Sequence, residues 1–280
     1  MHIRIVTLVE NTAPKPGILA EHGLSILVDV GGLSVMLDCG ETDVVARNAR
    51  AMGVDLARIR HLVISHGHRD HAGGLMDLLG TARASIVVHA HPDMWKPRYA
   101  LLKEGELAFR GVPFVREQLE SLGAQFSLTE GPAQLAEHVM TTGPIPLRTD
   151  FESLDQNLVI RTPEGLKQDE VLDDQALVLK TPKGLVVLLG CAHRGMINTL
   201  VRAQEISREK RIFAVLGGTH LGFSSQNQVE QSVAALKAMG VEHIGVSHCT
   251  GLSAAAVLSR EFGDRFFYNN VGTCIEWELS

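Results

Sequence analysis

The sequence predicts an α/β fold in which two sheets pack on each other and carry helices on their outer faces, as one domain over residues 1–280. Three observations predict it. Each half of the chain opens on apolar runs joined by tight turns. Each half then continues in alternating strand and helix patterns. A composition 45% hydrophobic and 21% charged supplies the apolar surface that such a core needs.

In chain order, residues 1–17 (MHIRIVTLVENTAPKPG) read as a first strand and a loop. Residues 24–30 and 33–38 are apolar runs joined by Gly31-Gly32, a hairpin signal. Residues 43–52 have helical spacing and end at Gly53, a C-cap signal. Residues 61–65 form a short buried strand, 73–79 a helix and 84–89 a strand. Between 92 and 146 Pro and Gly punctuate the chain and periodicity weakens, which suggests an insertion or a lid. Order returns with strands at 157–162, 175–181 and 184–190. A helix follows at 195–205, a strand at 212–216, a helix at 226–239, a strand at 243–247 and a helix at 252–260. Strands at 266–268 and 273–278 close the chain.

A net charge of −6 and the lack of a Lys/Arg run argue against a nucleic-acid partner bound by bulk charge. No stretch reaches the roughly 18 apolar residues of a membrane span. The first residues turn polar too soon for a signal peptide. Four scattered cysteines without a CxxC pair favour a reduced, cytoplasmic chain. A small molecule is the partner to expect.

The chemistry is announced between Ser65 and Gly74. An apolar strand runs into His66-x-His68-x-Asp70-His71, then Gly73-Gly74 leads to a helix. These four potential ligands lie on a loop at the carboxyl end of a strand. His66 and His68 alternate in extended chain and can face one point; Asp70 and His71 follow the turn and can face a second. Zn2+, Fe and Mn2+ favour such a mixture of imidazole and carboxylate. Two metals about 3.5–4 Å apart suit hydrolysis, because a hydroxide between them is nucleophilic at neutral pH.

On this loop the chain resembles the metallo-β-lactamase-fold superfamily, whose αββα sandwich agrees with the order of elements above. The resemblance implies two divalent transition metals, zinc first and Fe or Mn as alternatives. It implies that Asp38, in Leu37-Asp38-Cys39-Gly40, orients the metal loop from behind. Later ligands are implied at strand ends: His193 beside His66 and His68, and His248 beside Asp70 and His71. Many members place a bridging Asp where this chain has Gly190-Cys191, and a His where it has Asp173-Asp174. The further ligand is therefore Asp174, Cys191 or His193, with His193 preferred.

The phrases GCAHRGMINTL (190–200), GGTHL (217–221), SHCTGL (247–252) and DDQAL (173–177) narrow the resemblance. They are similar to a subgroup typified by the archaeal dihydropterin synthases, which join a pterin-methyl unit to ribofuranosyl-aminobenzene phosphate. Within it His220 is implied as an acid, base or phosphate contact, with Asp70 positioning the nucleophile. Arg69 and Arg194, beside the implied ligands, are candidates to meet an anionic substrate. The first reading is a binuclear hydrolase of a small phosphorylated or ester substrate. A transferase of the dihydropterin synthase type is the second, and a di-iron redox or binding protein the third.

Overall fold

The computed structural model describes residues 1–280, the side chain of Glu104 excepted. One seven-stranded sheet runs, edge to edge, Cys274–Glu278, His2–Val9, Ser25–Val30, Leu33–Leu37, His61–Val63, Ile86–Ala90 and Ala124–Leu128. A second runs Phe266–Tyr268, His243–Ser247, Ile212–Gly218, Gly184–Leu189, Ala176–Thr181, Val139–Thr141 and Gln134–Ala136. The two share a plan. Hairpin-linked strands pair antiparallel on one side, and strands fed by helices pair parallel on the other. In the first sheet Val30 pairs with Leu33 across Gly31-Gly32, whose φ values of 56° and 81° are those a two-residue turn of the primed type needs.

Alternation along the strands builds the layers. Ile26, Val28, Val35 and Leu37 of one sheet meet Leu177, Leu179, Val186 and Leu188 of the other in a single core between the sheets. Their neighbours Leu27, Met36 and Leu62 point the opposite way, onto helices Val44–Ala51 and Leu75–Ala82. On the far side Val178, Val187 and Val246 point onto helices Met196–Ser207, Gln226–Ala238 and Gly251–Phe262. Successive strand residues face opposite sides, so strands buried on both faces become continuous apolar runs. This is the reason for the unbroken hydrophobicity of residues 184–189. The layers are helix, sheet, sheet, helix.

Two local differences from the sequence expectation have physical causes. The strand expected at 61–65 stops at Val63. There the chain crosses to the other sheet: Ile64 O accepts from Gln175 Nε2 at 2.9 Å and Ser65 O from the Gln175 N–H at 3.0 Å. The stretch 92–146 feeds all three sheets. Ala124–Leu128 extends the first, residues 134–141 the second, and Arg98–Leu101 with Leu107–Phe109 form a small third sheet with Leu158–Thr162 and Gly165–Gln168. No described helix is long and apolar enough to cross a membrane.

Candidate metal centre

The carboxyl ends of the parallel strands of both sheets meet along one edge. Four non-glycine residues there hold left-handed φ: Asp38 at 57°, Ala192 at 54°, His220 at 56° and His248 at 53°. Such conformations are costly for residues with a Cβ and cluster where a site dictates the backbone.

Asp38 is wholly buried and ties this edge together. Its Oδ1 accepts the Ser65 N–H and its Oδ2 the Ser65 hydroxyl, both at 2.7 Å. Its Oδ2 also lies 2.7 Å from His71 Nδ1. A carboxylate only accepts, so His71 Nδ1 must donate, which turns Nε2 inward. The Ser65 hydroxyl gives its proton to Asp38 and so accepts from His66 Nδ1 at 2.9 Å. His248 Nδ1 likewise faces Asn11 Oδ1 at 2.9 Å, while Glu10 Oε1 takes the His248 backbone N–H at 2.7 Å. These three imidazoles are each fixed with Nε2 toward the centre. Gly190 is required by the same packing, since a Cβ there would collide with Ser65 Oγ.

The inward atoms fall into two groups. In the first, His66 Nε2 is 3.0 Å from His68 Nδ1 and 3.1 Å from His193 Nε2. Burial above all, then the neighbouring imidazoles, push His66 well below its ordinary pKa. Burial does the same to His193, and lowers His68 to about 3. In the second, Asp70 Oδ2 is 3.3 Å from His248 Nε2, 3.7 Å from His71 Nε2 and 3.3 Å from His22 Nε2. Burial opposes the Asp70 charge, but His71, His22 and His248 together hold it well below the usual carboxylate range. Burial also opposes a charge on His71; Asp38 and Asp70 outweigh it and raise His71 to about 9.

Cys191 stands between the groups. Its sulfur is 3.1 Å from His71 Nε2, and it shares ligand-sized clusters with His66 and His71, with His248 and Cys249, and with His193 and His220. The donor set fits metal ions. Neutral imidazole nitrogens converge on one another, and His68 Nε2 and His193 Nδ1 are buried without a hydrogen-bond partner among the described residues. A field that favours a proton on His71 Nε2 favours a cation there equally. His66, His68 and His193 could hold one ion, and Asp70, His71 and His248 with His22 a second, with Cys191 in reach of both.

The expected residues are thus largely gathered, with Asp174, Arg69 and Arg194 set apart from them. Asp174 lies outside these clusters: its carboxylate accepts the Arg194 N–H at 2.8 Å, and burial first of all raises it to about 7. Arg194 is buried, and its guanidinium binds the carbonyls of Ile145 and Glu170, both at 2.6 Å. Arg69 stays at the surface, 2.8 Å from Glu41. The His220 ring lies 4.4 Å from that of His193, tilted by 56°, with Nε2 3.8 Å from Asp155 Oδ2. Burial opposes its charge, yet Asp155 and Cys249 raise it to about 9. The sequence did not single out His22, Asp155 or Cys249, which the structure places beside these groups. Only Cys249 carried a signal, its place beside His248 at a strand end.

A model of the metallo-beta-lactamase superfamily matches residues 19–215. The chain belongs to the metallo-beta-lactamase superfamily. Across 99% of the chain and 97% of the relative, it is 29% identical to the 7,8-dihydropterin-6-methyl-4-(beta-D-ribofuranosyl)-aminobenzene-5'-phosphate synthase of Methanocaldococcus jannaschii. The crystal structure of Tm1679, a metal-dependent hydrolase of the beta-lactamase superfamily, superposes with a TM-score of 0.84 at 31% identity, covering 99% of both chains. A ribonuclease Z of Mycolicibacterium gilvum is 31% identical over 52% of this chain and 45% of its own length. The superfamily is metal-dependent, and the His, Cys and Asp clusters of this chain could bind metal on the sheet edge described above.

Proposed function

We propose that this superfamily member is a binuclear metal-dependent hydrolase of a small phosphorylated or ester substrate. The carrying observation is the pair of ligand groups joined at Cys191. Divalent cations bound there would polarise a phosphoryl or carbonyl oxygen and acidify a water. The chain's residues do the rest. Asp38, Ser65 and Asn11 fix the tautomers of His71, His66 and His248, so that each presents a lone pair. Asp70 brings negative charge to the more open group and is placed to orient a nucleophilic water. His220, held charged by Asp155, is placed to give a proton to a leaving group. The thiol, imidazoles and single carboxylate favour zinc or iron over manganese or magnesium.

Whole-length similarity to a named synthase supports a second reading, in which the centre activates a leaving group while a pterin-methyl unit joins an aminobenzene riboside phosphate. One set of assays separates the two. The zinc-loaded and iron-loaded protein is given phosphodiesters, lactones and thioesters, and in parallel a pterin diphosphate with an aminobenzene riboside phosphate. Turnover in the first panel supports the hydrolase. Coupling in the second, with no turnover in the first, replaces it with the transferase. Inactivity in both, with metal bound, overturns the enzyme reading.

A further inference from the structure

Two free cysteines, Cys191 and Cys249, meet at the ligand groups. Cys191 follows the strand Gly184–Leu189, and Cys249 follows the strand His243–Ser247 in the turn that carries His248. The strand Ile212–Gly218 pairs between those two strands and would hold the sulfurs apart, but it ends at Gly218. A Cβ on Gly218 would stand 2.7 Å from Cys249 Sγ and 3.3 Å from Cys191 Cα. The missing side chain is the gap through which the Cys249 sulfur reaches Cys191. That sulfur gives its S–H to the Cys191 carbonyl at 3.5 Å and accepts the His220 N–H at 3.3 Å. The two sulfurs and a ring nitrogen of His248 all lie within 4.8 Å of one another. A disulfide needs about 2 Å between sulfurs, and a change of rotamer at one cysteine covers that difference. The other thiols are placed differently: Cys39 gives its S–H to the His71 carbonyl at 3.2 Å, and Cys274 stands exposed on the edge strand of the other sheet.

We propose that Cys191 and Cys249 form a redox switch on this centre: hydrogen peroxide joins them in a disulfide, and the disulfide lowers the chain's hold on metal. One thiol sulfur attacks a peroxide oxygen, the O–O bond breaks, and water leaves a sulfenic acid. The second sulfur attacks the first, the S–OH bond breaks, and a second water leaves. The two thiols give up two electrons and two protons, and one peroxide is reduced to two waters. The effect on metal follows from the place of Cys191. Its sulfur is 3.1 Å from His71 Nε2 and shares ligand-sized clusters with His66 and His71 and with His193 and His220. Bonded to Cys249, that sulfur turns from these nitrogens and has no thiolate charge to offer a cation. Peroxide, which is little larger than water, enters beside the exposed His22 at the outer group. A bound cation shields the same sulfur, so the metal-free chain is the form that oxidises. The inference rests on the reading of the centre as a metal site, but the cross-link itself is read by mass, without metal or turnover.

The test treats the full chain, chelator-stripped and zinc-loaded, with hydrogen peroxide and follows intact mass, the linked peptides and subsequent zinc binding. The stripped chain is expected to lose the mass of two hydrogens, with Cys191 and Cys249 in one linked peptide, and zinc loading should slow that change. The oxidised chain should bind zinc about tenfold more weakly or worse, and a thiol reductant should restore both mass and affinity. Cys249→Ser should lose the cross-link, Gly218→Ala should slow it, and Cys274→Ser should leave it unchanged. Linkage through Cys39 or Cys274, or oxygen added to Cys191 with no cross-link, would overturn the pairing. A Cys191–Cys249 cross-link that leaves zinc affinity unchanged would overturn the switch while the metal reading stands. A reduced chain that takes up no zinc contradicts the metal reading and the switch with it, and the mass then still decides the pairing.

Discussion

The two ligand groups differ in charge and in access to water. His66, His68 and His193 are all buried, and among the described residues no carboxylate joins their cluster. Asp70, His71 and His248 include the carboxylate and open outward through His22, whose side chain is 59% exposed. The inner group offers neutral lone pairs in a dry place, where a cation would be held by geometry. The outer group offers charge beside the exposed His22, where substrate and water would arrive in the proposed enzyme. If two ions bind as proposed, that difference would divide labour between a fixed ion and a working ion, and Cys191, which shares clusters with both groups, would link them.

His66 probes the junction, because it belongs to the inner group and also shares a cluster with His71 and Cys191. His66→Ala should strip metal from both groups and lower turnover about a thousandfold, corresponding to several kcal/mol of lost transition-state stabilisation. Mass-spectrometric metal analysis beside kinetics checks it; retention of one full equivalent would show that the groups are independent.

Arg98 probes the support of the inner loop. It is 1% exposed and binds Asp169 at 3.0 Å and Asp173 at 2.5 Å, while Asp173 accepts the Gly67 N–H between His66 and His68. Arg98→Met leaves two buried carboxylates without their cation and should cost about 3–5 kcal/mol in urea unfolding. A loss below about 1 kcal/mol would mean that water already shares this cluster.

Asp38→Asn keeps the shape but offers His71 Nδ1 a weaker and ambiguous partner. Metal affinity should fall about 10–100-fold, first in the outer group. Competition titration with a chelator measures it, and equal loss from both groups would blur the contrast drawn here. His22→Ala should be milder, within about fivefold, since an exposed ring contributes little to an ion pair. A larger loss would make His22 a full ligand.

His89 serves as the control outside both groups. It faces His61 at 2.9 Å, and burial first, then the His61 charge, lowers it to about 4. Between pH 6.5 and about 4 the unfolded chain therefore binds a proton that the folded chain refuses, so stability is full above this window and falls as pH drops through it. His89→Gln should flatten that part of the pH–stability curve in urea titrations without changing metal content; an unchanged slope would assign the acid lability to other histidines.

Much of this was legible before any coordinates, and the reason is locality. His66 to Asp70 and His71 announce themselves because neighbours in sequence share one loop. His193 and His248 were readable because each ends an apolar strand, and strand ends of a layered fold converge. His22 and Asp155 reach the centre on loops whose return path leaves no periodic trace. The burial of Arg194 was not legible, because a guanidinium that binds buried carbonyls is spelled like one that waits for a substrate. The strands within 92–146 run only three to five residues, too short for alternation to rise above the Pro and Gly around them.

The central claim is that loops from two sheets cage two cations on one edge of the molecule. Anomalous diffraction from crystals of the zinc-loaded protein tests it most directly. Two peaks are predicted, one among His66, His68 and His193 and one among Asp70, His71 and His248, with the Cys191 sulfur between them. Density that leaves both places empty while zinc is bound elsewhere would contradict the account.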